Sequence, residues 1–143
     1  MKAFHFTTTP AISFGAGNLN RLAEIAHAQL REQTLIVTDP GMIKTGLVDR
    51  AVTSLTNVGI DCRIFDGVQA DPTTTNVLEA TELARRFNAT SIVGIGGGSS
   101  LDVAKLVAVL AKGEEQLNEL YGINQIKGRR LPLVLIPTTA GTG

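Results

Sequence analysis

Three consecutive glycines, Gly96, Gly97 and Gly98, mark the stretch of this sequence best suited to bind an anion. The short apolar run at residues 92–95 precedes them and predicts a strand buried on both faces. Ser99 then starts a predicted apolar helix, and Asp102 stands three residues later in a variant of the capping box. Glycines let a ligand approach the main chain, and a helix N-terminus offers unpaired N–H groups and a positive dipole. The pattern predicts a phosphate-binding turn. A tight turn without a ligand is the alternative, but a single glycine would be enough for it.

Polar residues also follow two other predicted strands. Asp39 follows the strand at residues 34–38, where a carboxylate can accept hydrogen bonds from an adenosine ribose and would repel a 2′-phosphate. This favours NAD over NADP, although residues 39–41 would also suit a simple turn. Thr138, Thr139 and Thr142 follow the strand at residues 133–136 and offer hydroxyls to a second phosphate or ribose. In a parallel sheet the three clusters should converge on one edge.

The elements that must position these residues alternate between strands and helices. Besides the segments above, the sequence predicts extended pieces at residues 4–6 and 12–14 and a weaker strand at residues 62–65. It predicts an amphipathic helix after Asn18, which would cap it, with its apolar face ending at Leu30. A second helix is predicted at residues 47–58. A third has its apolar face at residues 77–87, and a short helical piece is predicted at residues 114–121. This order predicts an α/β fold with a Rossmann-like, doubly wound, mainly parallel sheet.

Composition narrows the functional classes. The 143 residues suit one domain, and 13 basic residues balance 13 acidic ones, so no net field favours nucleic acid or an anionic membrane. The single cysteine, Cys62, cannot form an internal disulfide and fits a reducing compartment. No apolar run has the length of a membrane helix, and a cytoplasmic location is predicted. The two histidines, His5 and His27, lie in different predicted elements and do not suggest a metal site.

The glycine turn resembles the signature of a known family. Gly-Gly-Gly-Ser-x-x-Asp-x-x-Lys, from Gly96 to Lys105, is similar to a motif of the iron-containing (group III) alcohol dehydrogenases, whereas the P-loop and Rossmann glycine patterns do not match. Pro-Thr-Thr-Ala-Gly-Thr-Gly at residues 137–143 resembles a second motif of these enzymes. The turn at residues 15–17 and the position of Asp39 also fit. Asp71 stands where many members have asparagine, followed by Pro-Thr.

The resemblance implies a role for the whole chain. Residues 1–143 would be an NAD-binding domain, the N-terminal part of a longer enzyme whose all-helical second domain holds Fe²⁺ or Zn²⁺ through one Asp and three His. The enzyme would transfer hydride between NAD and a small primary alcohol or aldehyde, with no nucleic-acid or membrane partner, and a homodimer is compatible with this role. The chain alone would be inactive, with no catalytic residue and no metal ligand. The residues expected at the cofactor are Asp39, Asp71, Gly96, Gly97, Gly98, Ser99, Asp102, Thr138, Thr139 and Thr142.

Two alternatives remain from the sequence. One is a stand-alone nucleotide-binding module without catalysis, since no base or metal site is visible in the chain. The other is a dehydroquinate-synthase-like or glycerol-dehydrogenase-like enzyme domain, which also uses a glycine-rich turn.

Overall fold

Four parallel strands form one sheet in the computed structural model, which describes residues 9–122, 125–126 and 128–140. The spatial order is β2-β1-β3-β4, so β1 and β3 lie in the middle. The crossovers between parallel neighbours confirm the predicted α/β, doubly wound architecture. The strands are β1 (Gln33–Val37), β2 (Asp61–Phe65), β3 (Ser91–Gly96) and β4 (Leu133–Pro137).

Helices cover both faces of the sheet because the central strands are apolar on both sides. Leu35 and Ile92 point to one face and pack with α4 and α5, while Ile36 and Val93 point to the other and pack with α1 and α3. All four side chains are completely buried. The helices are α1 (Leu22–Ile25), α2 (Pro40–Lys44), α3 (Leu47–Thr56), α4 (Thr74–Arg86) and α5 (Gly98–Leu110), with 3₁₀ turns at Asn18–Arg21 and Leu117–Leu120.

The first helix is much shorter than the apolar spacing predicted. It breaks into the 3₁₀ turn and α1, and hydrogen bonds from Gln29 and Leu30 to Ala26 then carry the chain through turns. The predicted apolar positions are nevertheless buried, because the turns bring Ala26 and Leu30 into the same core as Leu22. The prediction that Asn18 caps this helix was also wrong. Gly17 is the N-cap, and the Asn18 amide donates to Ser13 Oγ instead.

Other differences concern the ends of the described chain. Residues 12–14 form no strand, and Ile12 and Phe14 are exposed; the extended piece predicted at residues 4–6 lies outside the described residues. Strand β4 was predicted to be buried but is half-exposed, because it lies at the edge of the sheet. The helical piece predicted at 114–121 is reduced to the 3₁₀ turn Leu117–Leu120. Within the part of the chain that can be described, no helix has the length and apolar character needed to cross a membrane.

Candidate functional site

The ends of β1, β3 and β4 are joined by hydrogen bonds at one edge of the sheet. Thr38, directly after β1, donates through Oγ1 to the carbonyl oxygen of Ile95 at 2.8 Å. The main-chain N–H of Thr138, directly after β4, donates to the carbonyl oxygen of Gly96 at 3.0 Å. These bonds bring the segments that follow the three strands to a common edge, as the sequence predicted.

Gly96, the last residue of β3, makes room for two side chains. Gly96 has φ of 145°, a conformation that side chains rarely adopt. A Cβ there would lie 2.7 Å from Ser100 Oγ and 3.0 Å from Asp39 Oδ2. Two residues earlier in β3, a Cβ at Gly94 would lie 2.7 Å from the Cβ of Ala104, so this glycine lets α5 pack closely on β3. Both glycines therefore serve the internal geometry of the site.

Gly97 and Gly98 have a different role, because the space beside them is open. Among the described residues, a Cβ at Gly98 would meet no atom of another segment within 4 Å, and one at Gly97 would meet the Thr139 side chain, with Cγ2 nearest at 3.5 Å. Gly97 has φ of −81°, which any residue can adopt. Packing therefore does not require glycine at either position, and their small size leaves a cradle in front of α5.

The N-terminus of α5 opens onto this cradle. Gly97 is the N-cap, and no described side chain caps the first turn. The predicted capping box was therefore wrong. Ser99 lies two positions inside the helix, and its hydroxyl donates to the carbonyl oxygen of Ala70, while Asp102 accepts from Lys105 Nζ at 2.9 Å. The first main-chain N–H groups of α5 thus remain without a side-chain acceptor, and such groups bind anions well.

Asp39 starts a short helix that the sequence analysis treated as a turn. Its Oδ1 accepts from the N–H groups of Gly41 at 2.9 Å and Met42 at 3.1 Å, and Pro40 occupies the first helical position of α2. An acidic N-cap followed by proline is a recognised helix-start signal and could have predicted α2. Its Oδ2 accepts from the hydroxyl of Ser100 at 3.1 Å. A carboxylate has about four acceptor positions, so these three bonds leave about one for a ligand.

The loop before α4 reaches the same turn through Ser99. Asn76, which is buried, holds this loop by donating to the carbonyl oxygen of Gly67 at 3.1 Å and accepting from the N–H of Gln69 at 3.2 Å. Ala70 follows and accepts from Ser99. The exposed Asp71 is the next residue, so it lies in the loop attached to the start of α5. Asn76 was not predicted, since its position gives no sign of a contact with a distant loop.

Thr138 and Thr139 are exposed at the end of β4. Thr139 is the side chain nearest to a Cβ placed on Gly97, so the last described loop borders the cradle. Thr142, the third threonine predicted at the site, lies outside the described residues.

A family model now adds to this geometry. Residues 9–143 match the model described as iron-containing alcohol dehydrogenase, which includes both the glycine turn and the loop after β4. The chain belongs to this family. The predicted resemblance is therefore confirmed, and the match supports it over the dehydroquinate-synthase-like alternative.

Individual members of the family agree with the match. The chain is 41% identical over 129 residues to alcohol dehydrogenase 4 of Schizosaccharomyces pombe, covering 90% of this chain and 31% of that protein. The crystal structure of a 1,3-propanediol oxidoreductase superposes with a TM-score of 0.92 at 33% identity, covering 99% of this chain and 37% of the other. An NADH-dependent butanol dehydrogenase A from Thermotoga maritima gives 0.87 at 32% identity, with 99% and 36% covered. The chain thus spans about a third of the length of the relatives it matches.

The iron in the family description raises the question of metal ligands. The described residues contain no group of three or more His, Cys, Asp or Glu side chains that could hold a metal ion. His27 is exposed, and its Nδ1 lies 3.0 Å from the carbonyl oxygen of Glu24, while His5 lies outside the described residues. Cys62 is half-buried, and burial, helped by the charge of Asp61, raises the pKa of its thiol to about 11. These residues do not form a metal site, and no step through a metal is assigned to them.

An open cavity of about 620 Å³ lies at the opposite end of the sheet. Its lining includes Thr90 and Pro132, which precede β3 and β4, and four basic side chains. Among these, Arg85 donates to the carbonyl oxygen of Leu110 at 2.7 Å, where α5 ends. A cation at a helix C-terminus complements the helix dipole, which accounts for Arg85 in this cavity without a ligand. The four basic residues are Arg31, Arg85, Lys112 and Arg130.

Proposed function

We propose that this chain is the NAD-binding part of a metal-dependent alcohol dehydrogenase. The observation that carries the proposal is the uncapped N-terminus of α5, which opens onto the space beside Gly97 and Gly98. A pyrophosphate in that space would accept hydrogen bonds from main-chain N–H groups and meet the positive end of the helix dipole. Family membership and the NADH dependence of the butanol dehydrogenase support a nicotinamide dinucleotide as the ligand.

Other predicted residues would contact the rest of the dinucleotide. Asp39 would accept a hydrogen bond from the adenosine ribose through its remaining acceptor position. Thr138 and Thr139 would contact the cofactor from the loop after β4, and Thr142 is assigned to the same loop by sequence alone. Asp71 would approach from the loop that Ser99 holds. Asp102 has a weaker case, because its carboxylate pairs with Lys105 on the helix surface.

The proposed reaction is reversible hydride transfer between NAD and a small primary alcohol or aldehyde. Bound nicotinamide supplies the hydride acceptor, and the residues of this chain bind and orient the dinucleotide at the sheet edge. We place the Fe²⁺ or Zn²⁺ ligands outside the described residues, and take residues 1–143 as the cofactor domain. A cytoplasmic enzyme and a homodimer complete the proposal.

Calorimetric titration of the purified protein with NAD tests it. We expect saturable binding, and we expect ADP-ribose to compete, because the N-terminus of α5 is assigned to the pyrophosphate and Asp39 to the adenosine ribose. Nicotinamide mononucleotide has a single phosphate and no adenosine, so it should compete much more weakly. Absence of NAD binding would overturn the proposal, and competition by nicotinamide mononucleotide alone would overturn the assigned orientation.

A further inference from the structure

Ser100 joins the two halves of the candidate cofactor site. It is the third residue of α5, so its main chain belongs to the turn proposed to bind pyrophosphate. Its hydroxyl donates across the edge to Asp39 Oδ2 at 3.1 Å, although 61 residues separate the two. Ser100 is only 1% exposed, so water does not readily replace this bond. Residue type and spacing predicted a role for Ser99 and none for Ser100.

The surroundings of this bond are built to accommodate it. Gly96 adopts φ of 145°, and any Cβ there would collide with Ser100 Oγ and crowd Asp39 Oδ2. The other oxygen of Asp39 is held by the N–H groups of Gly41 and Met42. Both carboxylate oxygens are therefore fixed, one by the N-terminus of α2 and the other by α5.

We infer that Ser100 is a positioning residue that fixes the Asp39 carboxylate and thereby sets the preference for NAD over NADP. This inference rests on the proposed function. A carboxylate held at both oxygens cannot turn away from an incoming 2′-phosphate, so it keeps its full electrostatic repulsion. Without the Ser100 hydroxyl, only Oδ1 stays fixed, by the N–H groups of Gly41 and Met42, and Oδ2 can swing about that anchor. The repulsion then falls, and the ribose hydroxyl of NAD loses a pre-positioned acceptor.

The test measures dissociation constants for NAD and NADP in the purified protein by calorimetry, for wild type, Ser100→Ala, Asp39→Asn and the double variant. We expect Ser100→Ala to lower the NADP-to-NAD ratio of dissociation constants about threefold to tenfold, the range for loss of one hydrogen bond. In the Asp39→Asn background there is no charge to position, so adding Ser100→Ala should leave the ratio within about twofold.

Ser54→Ala is the matched control. Ser54 is also a buried helix serine with a cross-element hydrogen bond, accepting from the N–H of Ala23 at 3.1 Å, but it lies in α3. This variant should lower the melting temperature without changing the ratio, which separates positioning from packing.

Three outcomes decide whether Ser100 positions Asp39 and whether the proposed function stands. The inference is supported if Ser100→Ala lowers the NADP-to-NAD ratio of dissociation constants, Ser54→Ala leaves the ratio unchanged, and Ser100→Ala has no further effect on it in the Asp39→Asn background. NAD binding with an unchanged ratio in Ser100→Ala overturns the inference and leaves the proposed function standing. Failure of the wild-type protein to bind NAD overturns the proposed function and the inference with it.

Discussion

Thr38 and Ile95 tie the two central strands together where they end. Thr38 Oγ1 donates to the carbonyl oxygen of Ile95 at 2.8 Å, and the threonine is completely buried. A similar bond lies at the opposite end of the same pair, where the hydroxyls of Thr34 and Ser91 are 2.8 Å apart, also buried. Both bonds are made by a buried threonine hydroxyl, to a main-chain carbonyl in the first and to a serine hydroxyl in the second, but only the first lies beside the candidate site. They therefore form a matched pair for mutagenesis.

Thr38→Val and Thr34→Val should destabilise the fold by similar amounts but differ in their effect on NAD. Each variant keeps the side-chain shape and removes one short buried hydrogen bond, and Thr34→Val also removes a longer bond, 3.4 Å to the carbonyl oxygen of Arg31. Each should therefore cost about 1 kcal/mol or somewhat more in the free energy of unfolding, as measured by urea titration. Thr38→Val should also weaken NAD binding about threefold to tenfold by loosening the edge that carries Asp39 and Gly96. Equal loss of NAD affinity in both variants would show that the effect is one of general stability.

Gly98→Val should abolish detectable NAD binding in a folded protein. Among the described residues, a Cβ at position 98 meets no atom of another segment within 4 Å, so the valine side chain would extend into the space assigned to pyrophosphate. Gly96→Val should instead destabilise the protein, since its φ of 145° and the collision with Ser100 impose strain of about 1–3 kcal/mol or more. Far-UV circular dichroism and calorimetry on the same samples distinguish the two. Normal NAD affinity in a folded Gly98→Val variant would contradict the assignment of the cradle.

Asp39→Asn should admit NADP without loss of α2. Asparagine caps helices about as well as aspartate, so Asp39→Asn removes the charge and keeps the cap of α2. Unit charges about 4 Å apart interact by roughly 4 kcal/mol at an effective dielectric of about 20, and even about a third of this corresponds to a tenfold change in the NADP-to-NAD ratio. Asp39→Gly should shift the ratio in the same direction, and in addition leaves the Ser100 hydroxyl without this acceptor. An unchanged ratio in Asp39→Asn would limit Asp39 to helix capping.

Cys62 should be a slow nucleophile in the folded protein. Burial raises its thiol pKa from 9.0 to about 11, which reduces the thiolate fraction near pH 8 by about a hundredfold relative to the unfolded chain. Alkylation by iodoacetamide should therefore be at least that much slower in native buffer than in denaturant. Because the folded state holds the proton more tightly, this contribution to stability is complete below about pH 9 and is lost as the pH rises towards 11. Equal alkylation rates in the two conditions would contradict the pKa shift.

The sequence predicted the strands well because their signal is local. Runs of β-branched residues such as Ile92-Val93 mark central strands, and the described strand ends fall within one residue of expectation. Capping was harder to predict. Ser99 is a residue type that often serves as an N-cap, but α5 begins earlier, with Gly97 as its N-cap. Ser99 therefore lies inside the helix, where its hydroxyl donates to the carbonyl oxygen of Ala70. That contact and the bond from Ser100 to Asp39 depend on how distant segments meet, which residue type and spacing do not encode.

The parallel sheet also determines when the candidate site can form. The bonds that shape it join residues far apart in sequence, 57 residues for Thr38 and Ile95 and 61 for Asp39 and Ser100. Such contacts carry a large loop-closure entropy and slow the folding of parallel sheets. Cofactor affinity is therefore coupled to the assembly of the entire sheet. By mass action, NAD at a hundred times its dissociation constant would add about 2.7 kcal/mol to the free energy of unfolding, so the same ligand proposed to accept hydride would also protect the chain from unfolding and proteolysis.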